Sequence, residues 1–123
     1  AAARRLGEDG IFVTQAIGIH YDAGDRLHAA IHHTLAQVFP HVRSYADYVQ
    51  SFDYPWAFVV AARQAYWDAG APDVDRVLAA RGILLRFYDG ITHLRVMNLP
   101  KPLRTLIAEE TTVITDTEPL VVL

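Results

Sequence analysis

A short β-prone run stands near the start of the chain. Residues 11–16, with the sequence IFVTQA, follow the turn residues Asp9 and Gly10 and are too few for a stable helix. A continuous apolar run of this length predicts a strand buried on both faces, as in a parallel sheet. Gln15 is the odd residue of the run, because it places a polar amide near the carboxyl end of the predicted strand.

The next segment carries a helical stripe. Over residues 25–39 the apolar positions recur at helical spacing, namely Leu27, Ile31, Leu35, Val38 and Phe39. The polar loop before the stripe offers Asp22 or Asp25 as a capping residue. Pro40 follows the stripe and should end the helix.

Two further β-prone segments are separated by a turn. Residues 42–52 contain several aromatic and β-branched side chains, and residues 56–62 form a second buried apolar run. The segment 53–55, Asp-Tyr-Pro, is the predicted turn between them. Because this connection is short, the two strands should pair antiparallel.

The segment after the hairpin is predicted to be mainly helical. Residues 64–72 form a connector with at most one helical turn. Asp73 should cap a short helix over residues 74–80. The pattern over residues 84–97 is ambiguous between helix and strand and favours helix.

The end of the chain completes an α/β order of elements. Pro100 and Pro102 should open a helix that continues to about Glu110, and residues 112–123 should be extended, with Pro119 restricting them to an edge or a tail. Rossmann-like domains of the S-adenosylmethionine type end with a parallel strand, a helix and a closing antiparallel hairpin. The fold class predicted is therefore α/β, the C-terminal half of such a domain with flanking helices.

Composition describes a globular chain without a basic surface. Hydrophobic residues make up 52% and charged residues 20%, the formal net charge is −3, and the pI is about 6.0. This balance argues against nucleic-acid and anionic-membrane partners. No run approaches the length of a membrane span, and the first residues have no apolar core of a signal peptide. The absence of cysteine excludes disulfides and is compatible with a reducing compartment, so a cytoplasmic location is expected.

The histidines do not indicate a metal or catalytic site. His28 and His32 are four residues apart and should share one face of the predicted helix. Zinc ligation is possible at this spacing, but the glutamate of the metalloprotease motif is missing, and a polar helix flank is the favoured interpretation. Nothing in the sequence pairs any histidine with a nucleophile, so we expect no metal and leave the catalytic residues unassigned.

Two places could contact a ligand. Gln15 would lie near the carboxyl end of a strand, where ligands of doubly wound sheets bind, although the residues alone favour an amide that is satisfied by loop backbone. The turn containing Phe52, Asp53 and Trp56 combines aromatic rings with a carboxylate, which suits an aliphatic chain bearing a cation but also suits a hairpin corner that closes the core. No G-x-G-x-x-G or Walker loop is present, so a phosphate cradle is missing from the chain.

These motifs together resemble the polyamine aminopropyltransferases, the spermidine, spermine and thermospermine synthases. The resemblance rests on GIFVTQA at 10–16, VFPHV at 38–42, Tyr45, SF at 51–52 leading to WAFV at 56–59, LRFY at 85–88, Leu99-Pro100 and TDTEPL at 115–120. It covers nearly the whole chain. No single piece is diagnostic, but their order and spacing are fairly specific.

The resemblance implies a reaction and a set of contacts. An aminopropyl group would move from decarboxylated S-adenosylmethionine to the amine of a polyamine, releasing methylthioadenosine. Gln15 matches the glutamine of the family that contacts the amine substrate. Phe52 stands where many spermidine synthases have a tyrosine, which puts a polar contact there in doubt and is more similar to the branch with longer substrates. Trp56 would line the amine pocket, and Asp53 could attract a distal ammonium group.

The resemblance also implies an absence. The glycine-rich nucleotide loop, the ribose-binding acid and the catalytic Asp of the family all precede the segment that begins at Gly10. We therefore expect residues 1–123 to be a partial catalytic domain that binds no cofactor alone and is inactive without the nucleotide-binding half. Its exposed first strand predicts a homo-oligomer or a partner chain that supplies this half. One alternative is a non-catalytic module that pairs with a full-length synthase and regulates it. Another is the corresponding half of a different methyltransferase-like protein that depends on S-adenosylmethionine.

Overall fold

The computed structural model describes residues 2–119. Its helices are α1 (Ala2–Arg5), α2 (Asp25–Ala36), α3 (Ala71–Ala80), α4 (Gly90–Val96) and α5 (Lys101–Glu109). Its strands are β1 (Ile11–Gly18), β2 (His41–Val49) and β3 (Tyr54–Ala62), and a single 3₁₀ turn spans Tyr66–Asp68. The predicted α/β class is confirmed, and so is the predicted helix after Pro100.

The three strands form one sheet in the order β1-β3-β2. β3 is central and runs antiparallel to both neighbours, so β1 and β2 point in the same direction on either side of it. The predicted antiparallel hairpin is therefore confirmed. β1 is an outer strand of the described sheet, and its Ile11 and Val13 are 48% and 49% exposed. The prediction of a strand buried on both faces is thus wrong for the part of the chain that the structure describes.

Apolar side chains pack on both faces of the sheet. The larger cluster joins β3 to α2 and α5 through Ala57, Val59 and Leu103. The second cluster lies on the opposite face, where Val60 and Ala62 contact Trp67. Alternation along β3 explains this division, because successive side chains of a strand project to opposite faces.

Helix α2 begins as predicted but ends earlier. Its last residue is Ala36, and the N–H groups of Val38 and Phe39 donate to the Leu35 carbonyl as the chain leaves the helix. Neither predicted aspartate caps the helix, because the N-cap residue is Gly24 and no side-chain cap bond forms; the Asp22 carboxylate accepts the Gly24 N–H ahead of the helix instead. The chain turns away before Pro40 because the Phe39 ring is buried and stacks on Phe12.

The hairpin turn lies earlier than predicted. β2 ends at Val49, and the Phe52 and Asp53 N–H groups donate to the Val49 and Gln50 carbonyls. Asp53 adopts a positive φ of 51°, which Asp tolerates better than most residues. Phe52 and Asp53 are therefore turn residues, and Tyr54 is already the first residue of β3.

The region after β3 corrects two helix boundaries. α3 begins at Ala71, so Asp73 lies inside its first turn and bonds Arg76 instead of capping. The helix predicted over 84–97 exists over Gly90–Val96, because the Asp89 side chain accepts the Thr92 N–H and fixes the start there. Residues 110–119 contain no regular element, and the rest of the predicted extended segment lies outside the described residues. No helix in the described range has the length and apolarity needed to cross a bilayer.

Candidate functional site

Three of the four predicted site residues meet on one face of the sheet. Gln15 pairs with Phe58, and Gly18 pairs with Trp56. Cross-strand partners and alternate residues of a strand share a face, so Gln15 and Trp56 project from the same side. The Phe52 ring packs on Trp56, with the two centroids 4.7 Å apart and the rings tilted by 59°. An exposed amide thus stands near a two-ring aromatic wall.

An irregularity in β1 shapes this end of the sheet. The register with β3 shifts between Gln15 and Gly18, and Ile17 has a φ of 71°, which is rare for a β-branched residue. Bulges of this kind bend a strand and redirect its side chains. The carboxyl end of β1 is therefore held in a strained conformation beside Gln15.

Gly18 makes room for the aromatic wall. A Cβ atom on Gly18 would lie 3.0 Å from Cδ1 of Tyr54 and 3.4 Å from Cζ3 of Trp56. The indole Nε1 of Trp56 is buried, and it has no hydrogen-bond partner among residues 2–119. A buried donor without a partner is unfavourable, and a ligand acceptor or a water molecule is a usual solution.

Asp53 is engaged elsewhere. Its carboxylate accepts a hydrogen bond from the Tyr48 hydroxyl, and this bond raises the pKa of Tyr48. Tyr48 pairs with Pro55 in the hairpin, so its side chain projects from the face of the sheet opposite Trp56. The structure therefore brings Gln15, Phe52 and Trp56 together and ties Asp53 to Tyr48 at the tip of the hairpin.

The sequence reasoning missed an acidic neighbour of the aromatic wall. Asp47 pairs with Trp56 across the hairpin, and each of its carboxylate oxygens lies 3.1 Å from Nη2 of Arg95. Tyr45, two residues earlier, stacks on Phe58 at 5.3 Å. The register of the hairpin would have predicted both contacts, but the predicted turn at 53–55 implies a different register.

A buried carboxylate fixes the loop next to the wall. Asp25 is 2% exposed, and its two oxygens accept the main-chain N–H groups of His20 and Tyr21 at 2.9 and 2.8 Å. His20 in turn places Nδ1 2.8 Å from the Tyr54 hydroxyl. The loop after β1 is therefore anchored on one side by α2 and on the other by β3.

His28 and His32 share a face, as predicted, but they are not a polar flank. His28 is 2% exposed, and its Nε2 lies 2.7 Å from the Ser44 hydroxyl, which is also 2.8 Å from Nδ1 of His32. Burial is the main cause that lowers the pKa of each histidine to about 4. No group of three or more possible metal ligands occurs in the described residues.

Several curated relatives, all named polyamine aminopropyltransferase, match most of the chain. The polyamine aminopropyltransferase of Aeropyrum pernix is 40% identical over 109 residues, 85% of this chain and 34% of the relative. Polyamine aminopropyltransferase 2 of Hyperthermus butylicus is 40% identical over 95% of this chain and 38% of its own length. The polyamine aminopropyltransferase of Synechococcus sp. is 42% identical over 75% of the chain and 31% of the relative. The chain thus spans about a third of the length of these relatives.

Solved structures agree on the fold. The spermidine synthase of Thermotoga maritima superposes with a TM-score of 0.64 over 84% of this chain and 36% of its own, at 21% sequence identity. A spermidine synthase in complex with the transition-state analogue AdoDATO gives a TM-score of 0.61 at the same identity. No protein-family model matches the chain. By sequence, the chain corresponds to the C-terminal part of the polyamine aminopropyltransferases, and the solved structures agree with this in fold.

Proposed function

We propose that this chain forms the amine-substrate wall of an aminopropyltransferase, which transfers an aminopropyl group from decarboxylated S-adenosylmethionine to a polyamine. The observation that carries the proposal is the meeting of Gln15, Phe52 and Trp56 on one face at the carboxyl end of β1. The relatives that match the chain are polyamine aminopropyltransferases by name. The crevice beyond strand ends is where ligands of doubly wound sheets bind.

Each of these residues has a role that its chemistry allows. The Gln15 side-chain oxygen would accept a hydrogen bond from the attacking amine, which orients the amine and leaves its lone pair free. Phe52 and Trp56 would enclose the methylene chain of the polyamine and interact with its ammonium groups through their ring faces. Asp53, at the hairpin tip, stays our candidate for attracting a distal ammonium group, and Asp47 adds a second carboxylate nearby.

The reaction is a direct displacement. The amine nitrogen forms a bond to the carbon beside the sulfonium, the carbon–sulfur bond breaks with its electron pair going to sulfur, and methylthioadenosine leaves. The amine loses a proton to a general base. We assign no residue of this chain to that base. The base and the nucleotide-binding loop would come from the segment of the family that this chain does not match.

A partner or a longer polypeptide would supply that segment. β1 is an outer strand of the described sheet and keeps Ile11 and Val13 half exposed, so it offers an edge for a further strand. We propose that the chain acts in a homo-oligomer or with a chain carrying the nucleotide-binding part, in the cytoplasm. Sedimentation as a monomer at micromolar concentration would count against the oligomer.

Titration of the 123-residue chain with spermidine, followed by ¹H–¹⁵N NMR, tests the amine wall. The Gln15 amide and the Trp56 indole N–H should shift on addition, whereas the buried indole of Trp67, which packs on Val60 and Ala62 at the other end of β3, should not. Gln15→Ala should weaken the shift at Trp56, and Gln64→Ala, another exposed glutamine, should not. Equal shifts of both indoles, or none, would contradict the proposed wall.

A further inference from the structure

A second cleft lies along the outer edge of β2. It occupies about 210 Å³ between β2, the segment 97–99 and α5. Its polar lining comes from His32, Arg43, Ser44, Asn98 and Arg104. Ser44 pairs with Val59, so it lies on the face of the sheet opposite Gln15 and Trp56. The cleft is therefore separate from the amine wall.

The charged side chains that line this cleft are arginines. Two guanidinium groups border it, and none of its lining residues is acidic. Asp68 does not line the cleft, but its carboxylate lies 2.8 Å from Nη2 of Arg43 and neutralises that charge. It does not neutralise the charge of Arg104. An environment of this kind disfavours cations such as polyamines and favours anions.

Both guanidinium groups are fixed in place by main-chain carbonyls. Nη1 of Arg43 donates to the Met97 carbonyl at 3.1 Å, and Nη1 of Arg104 donates to the Leu99 carbonyl at 2.5 Å. A guanidinium has five N–H donors, so each group retains donors for a ligand after these bonds. Donors that are already ordered lose little conformational entropy when an anion binds.

The floor of the cleft is polar and buried. Ser44 is 3% exposed, and its hydroxyl contacts both His28 and His32. The hydroxyl has one proton, so it can donate to one imidazole and must accept an N–H from the other. Burial is the main cause that lowers the pKa of His32, and the charges of His33 and Arg43 lower it further.

We propose that this cleft binds a small oxyanion, a carboxylate or a phosphate group, between Arg104, Arg43 and the Asn98 amide. Arg104 would form paired N–H···O bonds with two oxygens, which is the geometry that guanidinium groups favour. The volume suits inorganic phosphate or a short dicarboxylate and not a nucleotide. Such a ligand would bind at the outer edge of β2, whereas Gln15 lies on β1, at the other edge of the described sheet.

Isothermal titration of the 123-residue chain with inorganic phosphate and with succinate tests the proposal, with sodium chloride at matched ionic strength as the reference. One or both anions should bind saturably, and the preferred one identifies the chemical group. Arg104→Gln should weaken binding roughly tenfold or more, because a charge-assisted pair is lost. Arg86→Gln, an exposed arginine that does not line the cleft, should leave binding unchanged.

NMR on the unsubstituted chain provides a readout that does not depend on the folding of the variant. The Asn98 side-chain amide and the Arg104 Nε–H should shift together with the same saturation curve. Shifts that follow ionic strength alone, that spread over unrelated arginines, or that fall equally in Arg86→Gln would overturn the proposal. A failure here would leave the spermidine titration at Trp56 untouched, so the two proposals are tested separately.

Discussion

At the residue scale, the most consequential polar contact is the hydroxyl that two histidines share. Ser44 is a residue of β2 whose hydroxyl contacts two histidines of α2. Both imidazoles have a pKa of about 4, against 6.5 for a free side chain. Both rings are therefore neutral at pH 7. A protonated ring at either position would be buried beside the other histidine, with Arg43 close to His32.

This burial predicts a loss of stability in mild acid. The folded-state pKa lies below the unfolded one, so between pH 6.5 and pH 4 the unfolded chain binds more protons than the folded chain. The free energy of unfolding should therefore be fully retained above about pH 6.5 and should fall as the pH falls toward 4. Each histidine contributes at most about 3 kcal/mol to this loss. Urea unfolding at a series of pH values measures it.

A substitution isolates the contribution of His32. Asn at this position keeps a polar atom where Nδ1 stands and cannot be protonated. The slope of the free energy of unfolding against pH should therefore fall in His32→Asn by up to the amount that corresponds to one bound proton. His41→Asn serves as the control, because His41 is an exposed histidine at the start of β2 and is not among the groups that lower the pKa of His28 or His32. The same slope in His32→Asn and in the unsubstituted chain would contradict the prediction.

Single residues of the site were partly predictable. Gln15 stood out as an amide near the end of an apolar run, and the structure places it on an exposed strand end. The proximity of Phe52 to Trp56 followed from their spacing around a turn. The contact of Asp53 with Tyr48 was not predictable, because it depends on a positive φ and on which side of the turn the carboxylate leaves. Asp47 was missed because its neighbour Trp56 is distant in sequence and close only through the register.

At the scale of elements, the backbones of α3 and α4 approach closely at Gly90, the first residue of α4. A Cβ atom on Gly90 would lie 2.1 Å from the carbonyl oxygen of Ala71, so no side chain fits there. The Gly90 N–H donates to the Asp75 carboxylate at 2.7 Å, which joins the start of α4 to α3. His93 of α4 makes a separate contact with the 3₁₀ turn, because its Nε2 lies 2.7 Å from the Trp67 carbonyl oxygen.

Gly90→Ala should therefore be strongly destabilising. The backbone of α3 or α4 must move to admit the methyl group, at a cost of about 2 kcal/mol or more in the free energy of unfolding. Gly7→Ala is the matched control, since nothing lies within 4 Å of the added Cβ atom. Urea denaturation of both variants measures the difference, and equal midpoints would show that α3 and α4 are not packed in this way.

The elements show where sequence patterns suffice. β1, α2 and α5 begin close to the predicted residues because apolar periodicity and proline positions mark them. The hairpin turn lies a few residues before the predicted segment 53–55, because two i to i+3 hydrogen bonds over residues 49–53 define it and Pro55 already belongs to β3. The start of α4 depends on the Asp89 cap and on Asp75 from another helix, and the apolar residues before it gave no such signal.

At the scale of the molecule, a small sheet carries two dissimilar surfaces. One face presents Gln15 and Trp56, and the edge of β2 presents a cleft with two arginines. The chain corresponds to about a third of its relatives, and its outer strand β1 leaves apolar side chains half exposed. We propose that its place in a catalytic assembly is the wall that contacts the amine.

A chimera tests that claim most directly. The matched segment of the Hyperthermus butylicus relative would be replaced by this chain, and the fused protein would be incubated with decarboxylated S-adenosylmethionine and putrescine or spermidine. Mass spectrometry should detect methylthioadenosine and a lengthened polyamine, and Gln15→Ala should reduce the rate about tenfold or more while Gln64→Ala does not. A chimera that binds decarboxylated S-adenosylmethionine but transfers nothing, or one that is indifferent to Gln15→Ala, would contradict the account.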